Sequence, residues 1–273
     1  YISKINPKSI IIPEGNSALY EVFNLATEMR NDVKTICIQQ GWCPVVHNGF
    51  RNMHFDLFIS WGRAFTLALE PFNKKQKFMS IGSHILNINK KEIKRDSVAF
   101  FYQANLLIHK ENSDEFFECA IYLSNTYKNL NIIIREHPNG DIDLKMKRKL
   151  QQCENIEFMN SNDVLLSEVL LRTKIAVSFF STVLYEAMFH DVIPIYFNNI
   201  DMPSDQFDLV TKEMALEVKS LNQAKVKINA LLGEGKDKEN ILINIQKNKV
   251  DFFASYGSKA TNQIVKVILT ESP

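Results

Sequence analysis

Ile132-Ile133-Ile134-Arg135-Glu136-His137-Pro138 and, further along, Val177-Ser178-Phe179-Phe180-Ser181-Thr182-Val183-Leu184-Tyr185-Glu186-Ala187 decide how this chain is read. Each is a short apolar, β-branched run that gives way to polar residues. Runs of this length and composition read as buried strands. The second runs on into a helix, and Val192-Ile193-Pro194-Ile195-Tyr196 supplies the next strand. Ligands of open parallel sheets bind beyond the carboxyl ends of the strands. Ser181-Thr182 opens the helix, where free N–H groups favour an anion. Glu186 lies at i+4 from Thr182, on the same face. Hydroxyls for a phosphate and a carboxylate for ribose hydroxyls make a nucleotide end-grip.

Working outward, strand and helix patterns alternate on both sides. Strands are expected at 10–12, 34–39, 56–60 and 77–81, with helices at 18–29, capped by Ser17, and from Trp61-Gly62-Arg63 to 69. A polar, Lys-rich stretch, Asn87 to Asp96, reads as a linker. Strands then follow at 98–102, 131–134, 156–159, 175–177 and 192–196. Helices are expected at 113–127, capped by Ser113, and at 143–151, 161–171, 182–189, 221–232, 239–253 and 260–269. Such alternation implies parallel sheets with right-handed crossovers. The expected fold class is α/β, with two Rossmann-like doubly wound parallel-sheet domains. The first spans 1–88, the second 97–255, and a last helix occupies 256–273. The chain opens without Met, and part of the first domain is expected upstream.

Composition limits the function. The 273 residues carry a net charge of +1, so bulk attraction to nucleic acid or membrane is not expected. An apolar content of 45% suits folded cores. No run is long enough to span a membrane, and no signal peptide opens the chain. Cys37, Cys43, Cys119 and Cys153 form no CxxC pair and read as reduced thiols, which points to the cytoplasm. There is no GxGxxG, no Walker lysine loop and no HExxH. The histidines are scattered, so neither a metal nor another cofactor is expected. Asp141-Ile142-Asp143 has the letters of a DxD pair, but its polar setting suits a turn and a helix cap.

His137-Pro138 after an apolar strand resembles the HP motif of bacterial sialyltransferases and Kdo transferases. Ser181-Thr182 before a helix with Glu186 resembles their SS/ST motif. The arrangement from about residue 9 to 200 resembles a GT-B bacterial surface-polysaccharide glycosyltransferase. The resemblance implies a metal-independent transfer of a sugar from a nucleotide-activated donor, CMP-linked Kdo or sialic acid for preference. The acceptor would be a glycan or lipid-linked glycan. His137, Pro138, Ser181 and Thr182 would hold the leaving phosphate, and Glu186 the ribose. Arg135 would add charge there or pair with a carboxylate. Gln103, after the first strand of the second domain, would face the donor by analogy. Tyr196 and Asn198 are further candidates for base or ribose.

Glu14, in a Glu-Gly pair that echoes the acidic-Gly motif of sialyltransferases, is the candidate general base. Gln39-Gln40-Gly41-Trp42 resembles a QHG loop of polysaccharide transferases, with Gln40 where histidine is usual. Gln40, Trp42 and His47 are the acceptor-side candidates. The closing helix would pack back across the cleft. The expected place is the cytoplasm, with peripheral contact to the inner membrane or to other polysaccharide-assembly proteins left open. Competing readings are a CDP-glycerol-type polyol-phosphate transferase, a UDP-sugar 2-epimerase and a non-catalytic glycan-binding or scaffold module.

Overall fold

The computed structural model describes residues 2–13, 18–28, 30, 32–41, 50–87, 93–103, 108–137, 142–200, 208–233 and 235–271. Glu14, Ser17, Trp42, Cys43, His47, Pro138 and Asp141 lie outside the described residues. The chain divides into two units, residues 1–88 with 248–273 and residues 89–247.

The first unit begins with α1 (Ile2–Ile5), β1 (Ser9–Pro13), α2 (Ala18–Glu28), β2 (Lys34–Ile38), β3 (Leu57–Ser60), α3 (Arg63–Leu69) and β4 (Phe78–Ser80). Its strands pair in chain order, β1-β2-β3-β4, all parallel. Ile12, Cys37, Phe50, Met53, Phe55, Phe58 and Leu69 form one core cluster. Buried amides fix the approach to β3. Asn73 accepts from Met53 N at 2.7 Å and donates to Phe50 O and Leu69 O, while Gln76 accepts from Phe55 N at 3.0 Å.

The second unit holds β5 (Ser97–Tyr102), α4 (Lys110–Thr126), β6 (Asn131–Glu136), α5 (Leu144–Gln151), β7 (Ile156–Met159), α6 (Leu166–Arg172), β8 (Thr173–Ser178), α7 (Val183–Phe189), β9 (Ile193–Phe197), α8 (Asp208–Thr211), β10 (Leu216–Val218) and α9 (Leu221–Leu232). Its six strands run β10-β9-β8-β5-β6-β7, all parallel. In chain order that is the 3-2-1-4-5-6 arrangement of a doubly wound dinucleotide-binding sheet. The order reverses between β5 and β8, so the switch point lies where Tyr102 and Ser178 end their strands. The fold class expected from sequence is the one observed.

After α10 (Lys236–Phe252) the chain enters α11 (Gly257–Glu271). The sequence placed residues up to 255 with the second unit, but the first unit takes the chain from Asn248 onward. Phe252 packs edge-on to Phe65 at 5.8 Å between ring centroids, and Phe253 lies 5.9 Å from Trp61. Ile264 of α11 joins Ile36, Leu57, Ile59 and Ile81 in a second cluster. Backbone bonds add to this grip: Ala254 N donates to Trp61 O at 2.9 Å, and Ser83 N to Ser255 O at 2.9 Å.

Two helix starts differ from expectation. Ser113 is buried one turn inside α4, which starts at Lys110 after its N-cap, His109. There the Asn112 side chain accepts from His109 N at 3.2 Å, taking the capping part assigned to Ser113. α6 starts at Leu166 rather than Ser161, because the carbonyls of Ser161 and Val164 turn to meet Arg135. The short α1, α8 and β10 had no periodic signal. Asp143 does cap α5, accepting from Lys145 N at 3.0 Å and Met146 N at 3.2 Å. No helix among the described residues is long and apolar enough to cross a membrane.

Candidate functional site

The carboxyl edge of the second sheet gathers most of the residues that the sequence assigned to the donor side. Phe101 of β5 is in register with both Arg135 of β6 and Ser178 of β8. β5 therefore lies between the two motif-bearing strands. Adjacent strands are spaced about 4.8 Å apart, so the ends of β6 and β8 stand roughly 10 Å apart on one edge. Gln103 follows β5, His137 follows β6, and Ser181 and Thr182 follow β8.

A packed aromatic block supports this edge. Phe179, directly after β8, stacks on Phe116 of α4 at 4.7 Å and meets Phe197 at 6.0 Å. Phe116 also meets Phe100 edge-on at 5.2 Å. Phe116, Phe179, Phe197 and Phe100 are fully buried. Ser178 Oγ donates to Phe101 O at 2.8 Å and ties β8 to β5 just before the loop.

Within that loop Ser181 Oγ accepts from Val183 N at 3.3 Å, so this hydroxyl helps to start α7. Every residue of α7 except Glu186 is buried. A helix apolar all round belongs in a core, and Glu186 is the polar exception. Its side chain is half-buried. Burial pushes its carboxyl up to about 7, and nearby Arg135 opposes the rise. Among the described residues the carboxylate has neither a hydrogen-bond partner nor an ion pair within 4.0 Å.

Arg135 does not close that gap. Its guanidinium donates to Val164 O at 2.7 Å and to Ser161 O at 3.4 Å, which anchors the loop after β7. Burial lowers its pKa, with Glu186 acting in the opposite sense. Its charge therefore reaches Glu186 through space. Gln103 is half-buried, and its Oε1 is enclosed without a partner among the described residues. His137 is exposed. Glu136 accepts from Ile142 N at 3.1 Å and from Lys147 Nζ at 3.1 Å, bracing the strand end that carries His137.

Tyr196 and Asn198 are 0% and 1% exposed. Asn198 Nδ2 donates to Glu217 Oε1 at 2.5 Å, so this pair belongs to the interior. Cys37 and Cys119 are buried free thiols, Cys153 is a half-buried one, and burial pushes Cys119 up to about 12. No group of three His, Cys, Asp or Glu side chains among the described residues is placed to hold a metal ion.

On the first unit, Gln40 follows β2, and its Nε2 meets His84 Nε2 at 3.5 Å. His84 was not singled out from sequence. The signal was present, since Gly82-Ser83-His84 closes a strand as His137-Pro138 does, but no family motif drew attention to it.

A doubly wound second unit joined to a smaller parallel-sheet unit is the GT-B fold. Comparison of the sequence finds no matching family profile and no matching curated protein. Solved structures do match in fold. The UDP-GlcNAc 2-epimerase of Neisseria meningitidis bound to UDP-GlcNAc superposes with a TM-score of 0.69 at 12% identity, over 99% of this chain and 78% of that one. TarM of S. aureus, solved with fondaparinux, α-GlcNAc-glycerol and UDP, gives 0.59 at 14% identity over 100% of this chain. CalG4, the calicheamicin glycosyltransferase, gives 0.65 at 11% identity over 99% of this chain and 75% of that one. The chain spans 58% of the length of TarM. These likenesses support the GT-B architecture but not membership of the sialyltransferase and Kdo-transferase group.

Proposed function

We propose that the protein is a glycosyltransferase that takes its sugar from a nucleotide-activated donor and passes it to a glycan acceptor. The observation that carries this is Glu186. Among the described residues its carboxyl has no hydrogen-bond or ion-pair partner, it stands on the helix that follows β8 at the switch point, and burial raises it to about 7. Such a group both donates and accepts, and vicinal ribose hydroxyls supply the matching set. The Gln103 amide oxygen, without a partner among the described residues, supports the same reading, since it needs a donor and the amide nitrogen can meet a phosphate. Ser181, Thr182 and His137 would line the phosphate side, and Arg135 would act by positioning and by field. In transfer, the acceptor oxygen bonds to the anomeric carbon while the bond to the leaving phosphate breaks. Glu14 is the proposed acceptor of the hydroxyl proton.

A UDP-linked donor is favoured over the CMP-linked donor suggested by the HP and SS/ST motifs, because the similar folds include proteins solved with UDP or UDP-GlcNAc. Peripheral membrane attachment belongs to the same proposal, since surface glycans are built on lipid-linked acceptors.

The match to a UDP-GlcNAc 2-epimerase makes epimerisation the second reading. Against it, Glu14 after β1 is the single carboxylate that these strand ends offer, the segments after β2, β3 and β4 being Gln39-Gln40, Trp61-Gly62-Arg63 and Gly82-Ser83-His84. Epimerisation removes and returns a carbon-bound proton and calls for acid and base groups on the sugar.

Calorimetry with UDP, CMP, CDP and GDP tests the proposal. Binding of one nucleotide is expected, weakened about tenfold or more in Glu186→Ala, or ~1.4 kcal/mol. Equal affinity in the variant, or no nucleotide bound, would remove the donor site. UDP-GlcNAc converted to its 2-epimer without an acceptor would shift the assignment to the epimerase.

A further inference from the structure

Gln39 and Gln40 are neighbours at the end of β2 with opposite fates. Gln39 is fully buried and its amide is engaged at both ends, accepting from Trp61 N at 2.8 Å and donating to Gly41 O at 2.8 Å. Its carbonyl takes the Trp61 indole N–H at 2.9 Å. Gln40 is half-buried, and among the described residues its amide makes the single contact with His84, Nε2 to Nε2 at 3.5 Å. That separation is the long limit of a hydrogen bond. The two side chains come from β2 and from the segment after β4, with β3 between those strands.

Around this contact hydrogen-bonding capacity is left over. Among the described residues His84 Nδ1 is enclosed without a partner, and so is Ser83 Oγ on a fully buried residue. Leaving such a group unpaired costs about 1–3 kcal/mol, and native structures carry few of them. The surrounding backbone is rigid. Ser83 N donates to Ser255 O at 2.9 Å, Gly257 N donates to Ser83 O at 3.0 Å, and Gly82 sits at φ +134° against Ser255. The unmet groups therefore cannot relax by moving the loop. An imidazole torsion is broad, so the ring can re-aim a nitrogen without backbone movement.

The electrostatics select the ligand. Burial lowers the His84 pKa, and no charged group contributes to the shift. At neutral pH the pair is thus a neutral imidazole beside a neutral amide. Phosphates and carboxylates call for a cation or a fan of N–H donors. A neutral hydroxyl, donor and acceptor in one, fits two groups that each have a site to spare.

We infer that Gln40 and His84 form a hydroxyl-binding pair for the acceptor glycan, on the first unit and separate from the nucleotide-holding residues of the second. This rests on the reading above that the substrates are sugars. His84 is then a specificity-determining contact that the motifs did not reveal.

The test uses the full chain labelled with nitrogen-15 and follows the imidazole nitrogens of His84 during titration with the methyl β-glycosides of N-acetylglucosamine, galactose and glucose. At least one glycoside should shift the His84 signals saturably. His84→Phe and Gln40→Leu should each weaken that glycoside about tenfold, while nucleotide affinity stays at the wild-type value. Should His84→Phe fail to fold, Gln40→Leu carries the comparison, since its side chain is only half-buried. Nucleotide binding with every glycoside silent, or both variants binding glycoside as the wild type does, overturns the pair alone. A glycoside response without any nucleotide bound overturns the transferase reading and leaves the pair standing as a glycan-binding site.

Discussion

The buried carboxyl of Glu186 ties the stability of the fold to pH. Its carboxyl ordinarily titrates near 4.5 and is raised to about 7 in the folded chain. The folded state then holds a proton that the unfolded state has lost, across the window between those values. Stability linked to this group is complete below the lower value and is lost as pH rises through the upper one. Glu186→Gln keeps the shape and removes the titration. Its unfolding free energy should match the wild type at pH 4.5 and exceed it at pH 8, by a margin of up to ~3 kcal/mol. Its nucleotide affinity should fall at both. An equal difference between variant and wild type at the two pH values would show that burial does not disfavour the charge. Gly82 is the second informative residue. A β-carbon there would meet Ser255 O at 2.1 Å, at a φ of +134° that side chains rarely adopt. Gly82→Ala should destabilise the chain by about 3 kcal/mol, read from urea unfolding.

At the scale of elements, the loop from β8 to α7 owes its placement to aromatic packing as well as to hydrogen bonds. Phe116 touches Phe100, Phe117, Phe179 and Phe197, so it joins α4 to the ends of three strands. Phe116→Ala removes a fully buried ring and should cost about 3–5 kcal/mol. If the block also positions Ser181 and Thr182, nucleotide affinity should drop in the variant at temperatures where it remains folded. Loss of stability with unchanged affinity would confine Phe116 to the core. The elements themselves were largely legible. Strands such as Ile132-Ile133-Ile134 and Ile175-Ala176-Val177 are short apolar runs between polar breaks, and little else fits that pattern. Ser113 misled because Ser before an apolar run is a common cap. Here it lies inside the helix, 3.4 Å from the Tyr102 hydroxyl, and an Asn does the capping.

At the scale of the whole molecule, the chain leaves the second unit along α10 and ends on the first. Gly62, whose β-carbon would lie 2.4 Å from the Asp251 and Phe252 backbone, and Gly82 permit this close approach. A chain ending at Lys247 would lose Phe252, Phe253 and Ile264 from the first unit's cores. Two-step unfolding followed by calorimetry should show the first unit's transition lost or strongly lowered in that chain, and the second unit's kept with its nucleotide binding. Both transitions unchanged would mean that the carboxyl-terminal segment adds nothing to the first unit.

Apolar runs, their lengths and the residues that break them were sufficient to define two parallel α/β units. They also placed Gln103, His137, Ser181, Thr182 and Glu186 at strand ends or helix starts, because strand and helix periods are local properties of the chain. Distant residues had to be brought together before the rest was decided. The raised Glu186 carboxyl, the engagement of Arg135 with Val164 and Ser161, the meeting of Gln40 with His84, and the return of residues 248–273 to the first unit all depend on packing across the chain. No local pattern encodes which side chain is left without a partner once the strands have found their neighbours.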